Sequence, residues 1–92
     1  MKLVVNRCYG GFSLSDEALS MLGFEYQYDA WDLDRNDPRL VEVVETLGQA
    51  ADGRCARLAV VTLPENATDY HVDDYDGYES VIYVVGGKLC WA

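Results

Sequence analysis

The chain has 92 residues, half of them apolar, which suffices for one core and one domain, residues 1–92. Sixteen acids against seven bases give a net charge of −9, so the protein repels nucleic acid and anionic membranes at long range and is drawn to basic surfaces. Its longest apolar runs, near 58–63 and 81–85, are too short to span a bilayer, and Cys8, Cys55 and Cys90, with no CxxC spacing, argue against both a disulfide framework and a zinc knuckle.

The opening MKLVVNRCYGG reads as a short strand, Leu3 to Val5, rather than a secretory signal. Gly10 and Gly11 break it. Ser13 and Ser15 are both candidate N-caps for a first helix of about two turns, with Asp16 and Glu17 suited to its N-terminal dipole and Gly23 as its stop. In the segment 24–36, Phe24, Tyr26 and Tyr28 alternate with Glu25, Gln27 and Asp29, which suggests a strand or an ordered loop. Asp37-Pro38 starts a second helix, whose apolar face is Leu40, Val41, Val44 and Leu47; Gly48 ends it, unless the following Ala50-Ala51 adds a turn.

After the Asp52-Gly53 turn, Leu58 to Leu63 reads as a buried strand stopped by Pro64. Thr68 to Asp73 alternates again, with Tyr70 and Val72 on one face and Asp69, His71 and Asp73 on the other. Asp76-Gly77 turns the chain into a strand from Tyr78 to Val85, and Gly86-Gly87 is a two-residue hairpin signal leading to a last strand, Lys88 to Trp91. The expected fold is α+β: one mostly antiparallel sheet with two helices packed on one face.

Three groups of residues carry candidate chemistry. The first is the loop Arg7, Cys8, Tyr9, Gly10, Gly11 and Ser13. Strand, Gly-Gly loop and helix start can present backbone amides to an anion, with Arg7 to neutralise a phosphate and Cys8 as a candidate nucleophile. It is neither a GxGxxG nor a Walker loop, Asp16 and Glu17 oppose an anion there, and a tight turn with Cys8 beside the core is the simpler reading.

The second group is Asp69, His71 and Asp73, spaced about 7 Å apart along one strand face. Such a set can hold a divalent ion or share a proton; the commoner meaning of polar alternation is a solvated face. A Ser–His–Asp triad is formally available with Ser13, Ser15, Ser20 or Ser80, but none of these sits on a nucleophile elbow. No catalytic residue, metal site or cofactor is assigned.

The third group is the run between Arg57 and Lys88, which holds Glu65, Asp69, Asp73, Asp74, Asp76 and Glu79 without a single Lys or Arg, interleaved with Tyr70, Tyr75, Tyr78 and Tyr83. Acids spaced over a surface imitate phosphates, and tyrosines are favoured interface anchors. Asp69, Asp73, Asp74, Tyr75, Asp76 and Glu79 form the expected partner-binding surface, with Asp29, Asp32 and Asp34 as a second patch.

The blocks NRCYGGFSLSDEA, NDPRLVEVVETLG and DGRCARLAVVTLPENATDYHVDDYDGYESV resemble a family of small uncharacterised proteins of bacteriophages and prophages. The likeness covers about residues 1–82; the segment 24–36 and the last ten residues are less typical, and the basic, Trp-containing tail of some relatives is missing. The resemblance supplies no catalytic residue. It implies a phage-encoded accessory protein acting in the cytoplasm of a bacterial host, and such proteins often inhibit host defence.

Together these readings favour a non-enzymatic inhibitor, anti-CRISPR-like or otherwise anti-defence. It would dock its acidic, Tyr-rich surface on a basic host protein that binds nucleic acid, without touching nucleic acid or membrane itself. The alternative is a small-ligand binder that sequesters a nucleotide signal through the Gly10-Gly11 loop. A homo-oligomer is compatible with either, since Lys88–Trp91 is a possible free edge.

Overall fold

A computed structural model describes residues 1–92. In chain order it contains β1 (Lys2–Asn6), α1 (Asp16–Leu22), α2 (Gln27–Trp31), α3 (Pro38–Leu47), a 3-10 turn (Gly48–Ala51), β2 (Leu58–Thr62), β3 (Tyr70–Tyr75), β4 (Tyr78–Val85) and β5 (Lys88–Trp91). The fold is α+β. The strands form two antiparallel sheets, β1-β2 and β3-β4-β5, where the sequence suggested one.

Three layers result. Leu3 pairs with Val61 and Val5 with Ala59, so these four share one face of the β1-β2 sheet. They pack with Leu63 against Val81 and Tyr83 of β4. Val4 and Val60 take the other face and meet the helices through Leu14, Ala18, Leu19, Leu40, Val44 and Ala51. Covered on both sides, β1 is buried from Leu3 to Asn6, which explains why it reads as an unbroken apolar run ending in one polar residue.

Local signals set most boundaries. Ser15, not Ser13, caps α1: its hydroxyl accepts from Ala18 N at 3.1 Å. Gly23 closes that helix with φ 79°. Asp37 caps α3 by accepting from Arg39 N at 2.9 Å, with Pro38 in the first turn. The Ala-Ala extension past Gly48 takes the form of the 3-10 turn. Asp76 and Gly77, and likewise Gly86 and Gly87, all have positive φ, as two-residue turns matched to strand twist require.

One element departs from the alternation that suggested it. Residues 27–31 form a short helix, α2, rather than a strand or loop. The Gln27 side chain accepts from Leu14 N at 3.1 Å and donates to Leu14 O, Asp29 accepts from Tyr26 N at 3.0 Å, and Ala30 enters the helical core. These bonds and the burial of Ala30 outweigh the period-two pattern of aromatics, of which Tyr26 and Tyr28 are left on the surface while Phe24 packs against the helical core.

Candidate functional site

The outer edge of β1 is held by an ion pair. Val4 N donates to Arg35 O at 2.8 Å and Asn6 N to Glu79 Oε1 at 2.8 Å. The two residues that supply these acceptors also grip each other, with Arg35 Nη1 and Nη2 lying 2.5 and 2.8 Å from the two Glu79 carboxylate oxygens. Glu79 is 3% exposed. It is therefore not part of an outward acidic surface, contrary to the sequence reading. Its charge is committed to Arg35 and to the backbone of β1.

The Arg35 guanidinium also lies 3.7 Å from the centre of the Phe12 ring, a stacking geometry that suits its planar, weakly hydrated charge. Phe12, Ala30, Trp31, Arg35, Asp74 and Glu79 line a cleft of about 290 Å³ between α2 and the β3–β4 hairpin. Arg35 is balanced by Glu79, so Asp74 is the uncompensated charge of this lining. Asp74 is exposed, and one of its oxygens accepts from Gly77 N at 2.7 Å. Trp31 is 70% exposed and stands edge-on to Tyr28, which stacks on Tyr26 with ring centres 5.1 Å apart. Asp32 and Asp34 are exposed beside Trp31, and Asp29 is half-buried at the start of α2.

The structure thus joins parts of the two acidic patches and splits one of them. Asp74 pairs with Glu79 and faces the cleft, whereas Asp73 pairs with Ser80 and His71 with Ile82 on the opposite face of the sheet. Asp69, His71 and Asp73 are all exposed there, as the alternation suggested, and no three of the chain's His, Cys, Asp and Glu side chains converge as a metal-ligand set. Tyr75 is exposed on the same outer face, paired with Tyr78, and Asp76 is exposed at the hairpin turn.

The glycine loop is occupied by its own neighbours. Arg7 donates through Nη1 to Glu79 O at 2.8 Å and lies over the Tyr78 ring, rather than standing free for a phosphate. A side chain at Gly10 would collide with Cys55, and one at Gly77 would meet the backbone of Gly11, so two chain segments already fill the space a ligand would need. Ser13 packs against Gly53, whose N donates to Ser13 O at 3.0 Å. Cys8 is half-buried, and exposed Tyr9 tilts against Tyr78 with ring centres 5.4 Å apart. None of the cavities is lined by residues 7–11 or by Ser13.

Sequence reasoning missed Arg35 and Trp31. Arg35 is the lone cation in an acidic stretch, which marks it as a candidate for internal pairing. Trp31 lies in a segment whose helical form the sequence did not disclose. No helix is long and apolar enough to cross a membrane. Comparison of the chain with protein-family models, with curated proteins and with solved structures finds no match.

Proposed function

We propose that this protein is a small phage-type accessory protein that acts by binding rather than catalysis, docking onto a basic surface of a host defence protein that handles nucleic acid. The observation that carries this reading is the cleft in which Trp31 and Asp74, 43 residues apart in sequence, come together. An exposed aromatic group beside an unpaired carboxylate suits the side chain of an Arg or Lys. The ring face attracts the cation and the carboxylate hydrogen-bonds it. Tyr26, Tyr28, Asp32 and Asp34 extend the same chemistry along α2, while the net charge of −9 steers the approach.

The test is a tagged pull-down from bacterial lysate with washes at low and high salt, run in parallel with the Trp31→Ala/Asp74→Lys variant. The expected result is a nucleic-acid-binding protein retained by the wild type at low salt, lost at high salt, absent with the variant and released by added nucleic acid. Equal capture by wild type and variant refutes the cleft as the docking site. A captured partner that nucleic acid does not displace refutes the groove-blocking mode.

A further inference from the structure

β5 is an edge strand whose outward backbone groups have no backbone partner within the chain. It closes the β3-β4-β5 sheet and pairs only with β4. Val81 and Ala92 exchange both backbone hydrogen bonds, each 2.8 Å long. In an antiparallel ladder such pairs alternate, so Cys90 and Lys88 also bond inward, while the N–H and C=O groups of Leu89 and Trp91 point away from β4. The side chains of these two residues are 61% and 64% exposed. They share the outer face of the sheet with Ile82 and Val84, their partners on β4. An edge with open backbone groups and large apolar side chains is a template for another strand.

We infer that this edge pairs with β5 of a second copy of the chain, antiparallel and about a two-fold axis at Cys90. Charge selects that occupant. The opposite edge strand, β3, carries Asp73 and Asp74 and follows Asp69, whereas β5 carries no acid and one cation, Lys88. The edge strand β2 carries no acid either but presents no large exposed apolar side chain, so a molecule of net charge −9 meets itself with little repulsion and the most apolar contact along β5. With the axis at Cys90, Leu89 lies opposite Trp91 of the second copy and Trp91 opposite its Leu89. All four outward backbone groups of each β5 are then bonded, and the sheet becomes six-stranded. Each Leu89 side chain packs on the facing indole, covering the largest apolar groups on that face. The two Cys90 residues face each other in a pair without backbone hydrogen bonds, with Cα atoms about 4.5 Å apart, within the range of about 4.4–6.8 Å that a disulfide spans.

The register makes the test specific. Sedimentation equilibrium on the full chain is expected to show a monomer–dimer equilibrium that tightens as salt rises, because screening relieves repulsion between like-charged copies. Leu89→Pro removes only an outward N–H, so the β4 ladder survives. It deletes one hydrogen bond on each side of the axis and is expected to weaken the dimer on the order of tenfold or more. Circular dichroism and melting at dilute concentration confirm that the variant is folded. In a Cys8→Ser/Cys55→Ser background, diamide is expected to oxidise the two Cys90 thiols to one intermolecular disulfide, taking up their two electrons and two protons. A chain that stays monomeric at hundreds of micromolar overturns the inference. So does a dimer that folded Leu89→Pro leaves intact, or one in which Cys90 does not crosslink.

Discussion

Breaking the Arg35–Glu79 pair is expected to destabilise this protein by as much as truncating a core side chain. Glu79 is 3% exposed and accepts three hydrogen bonds, two from Arg35 and one from Asn6 N. Replacing it with Leu strands a guanidinium and a backbone N–H at once. Removing one partner of a buried pair costs about 3–5 kcal/mol. The Arg35 side chain keeps 24% exposure, so water partly rescues it and the lower end, about 3 kcal/mol, applies. For a domain of this size that lowers Tm by about 12–24 °C. At an m-value of about 1.5 kcal/mol/M it moves the urea midpoint by about 2 M. The decisive form is a double-mutant cycle with Glu79→Leu, Arg35→Met and the pair together. Each single change leaves a charge without its partner, whereas the double change leaves unpaired no charge but only two backbone groups of β1, the Asn6 N–H and the Val4 C=O. The double variant is therefore expected to be about 2 kcal/mol more stable than the sum of the single losses. Additivity within about 0.5 kcal/mol would refute the claim that the two charges act as one structural unit.

Two further outcomes follow from the same geometry. Gly10→Ala places a methyl group against the Cβ and carbonyl oxygen of Cys55, and the overpacking is expected to cost about 1–3 kcal/mol in urea melts. A stability equal to wild type would mean that the loop has room to move and that a ligand site there merits renewed attention. At low pH, the Arg39 side chain and backbone hold the Asp37 carboxyl below its ordinary value of 3.8. A depressed folded-state value gives stability that is present above pH 3.8 and lost as pH falls through the lower value. Asp37→Asn, which keeps an acceptor for Arg39 N, is expected to flatten that acid loss in amide exchange of α3. An unchanged slope would show that other carboxylates carry it.

The elements legible in the sequence are those fixed by short-range chemistry. Asp37-Pro38 needs only a cap and a preset φ to start α3, and Asp76-Gly77 and Gly86-Gly87 need only positive φ to close their hairpins. Alternation placed Asp69, His71 and Asp73 on one face because side-chain direction in a strand depends on parity alone. What the sequence did not disclose depends on residues far apart. Glu79 looks like any surface acid until Arg35, 44 positions away, is brought to it. Arg7 looks like a free cation until β4 supplies the carbonyl of Glu79. The helix at 27–31 is short and begins in an aromatic alternation; what stabilises it is Leu14, thirteen residues earlier. The split into two sheets has the same origin. Nothing local says that β1 and β4 meet face to face through Leu3, Val5 and Val81 rather than edge to edge.

The Arg35–Glu79 pair also explains how a cleft can be both acidic and well supported. A carboxylate facing solvent without support is a poor anchor, since its side chain is free and its charge is screened. Here Asp74 stands on a hairpin whose turn end is tied to β1 by Glu79 and by Asn6, which donates through Nδ2 to Gly77 O. The opposite wall, Trp31, is carried by α2, which Gln27 fastens to Leu14. The walls are thus positioned by internal bonds before any partner arrives, which lowers the ordering cost of binding. Pairing through β5 would place two such clefts on one rigid sheet, so that a partner with repeated basic sites is held by both at once. Salt separates the two associations, because screening weakens attraction between the cleft and a cation while it relieves repulsion between two acidic copies. A rise in ionic strength is therefore expected to release the partner and retain the dimer. If both associations weakened together, the β5 contact would be electrostatic, and an edge chosen for its lack of acids could not be the one that forms it.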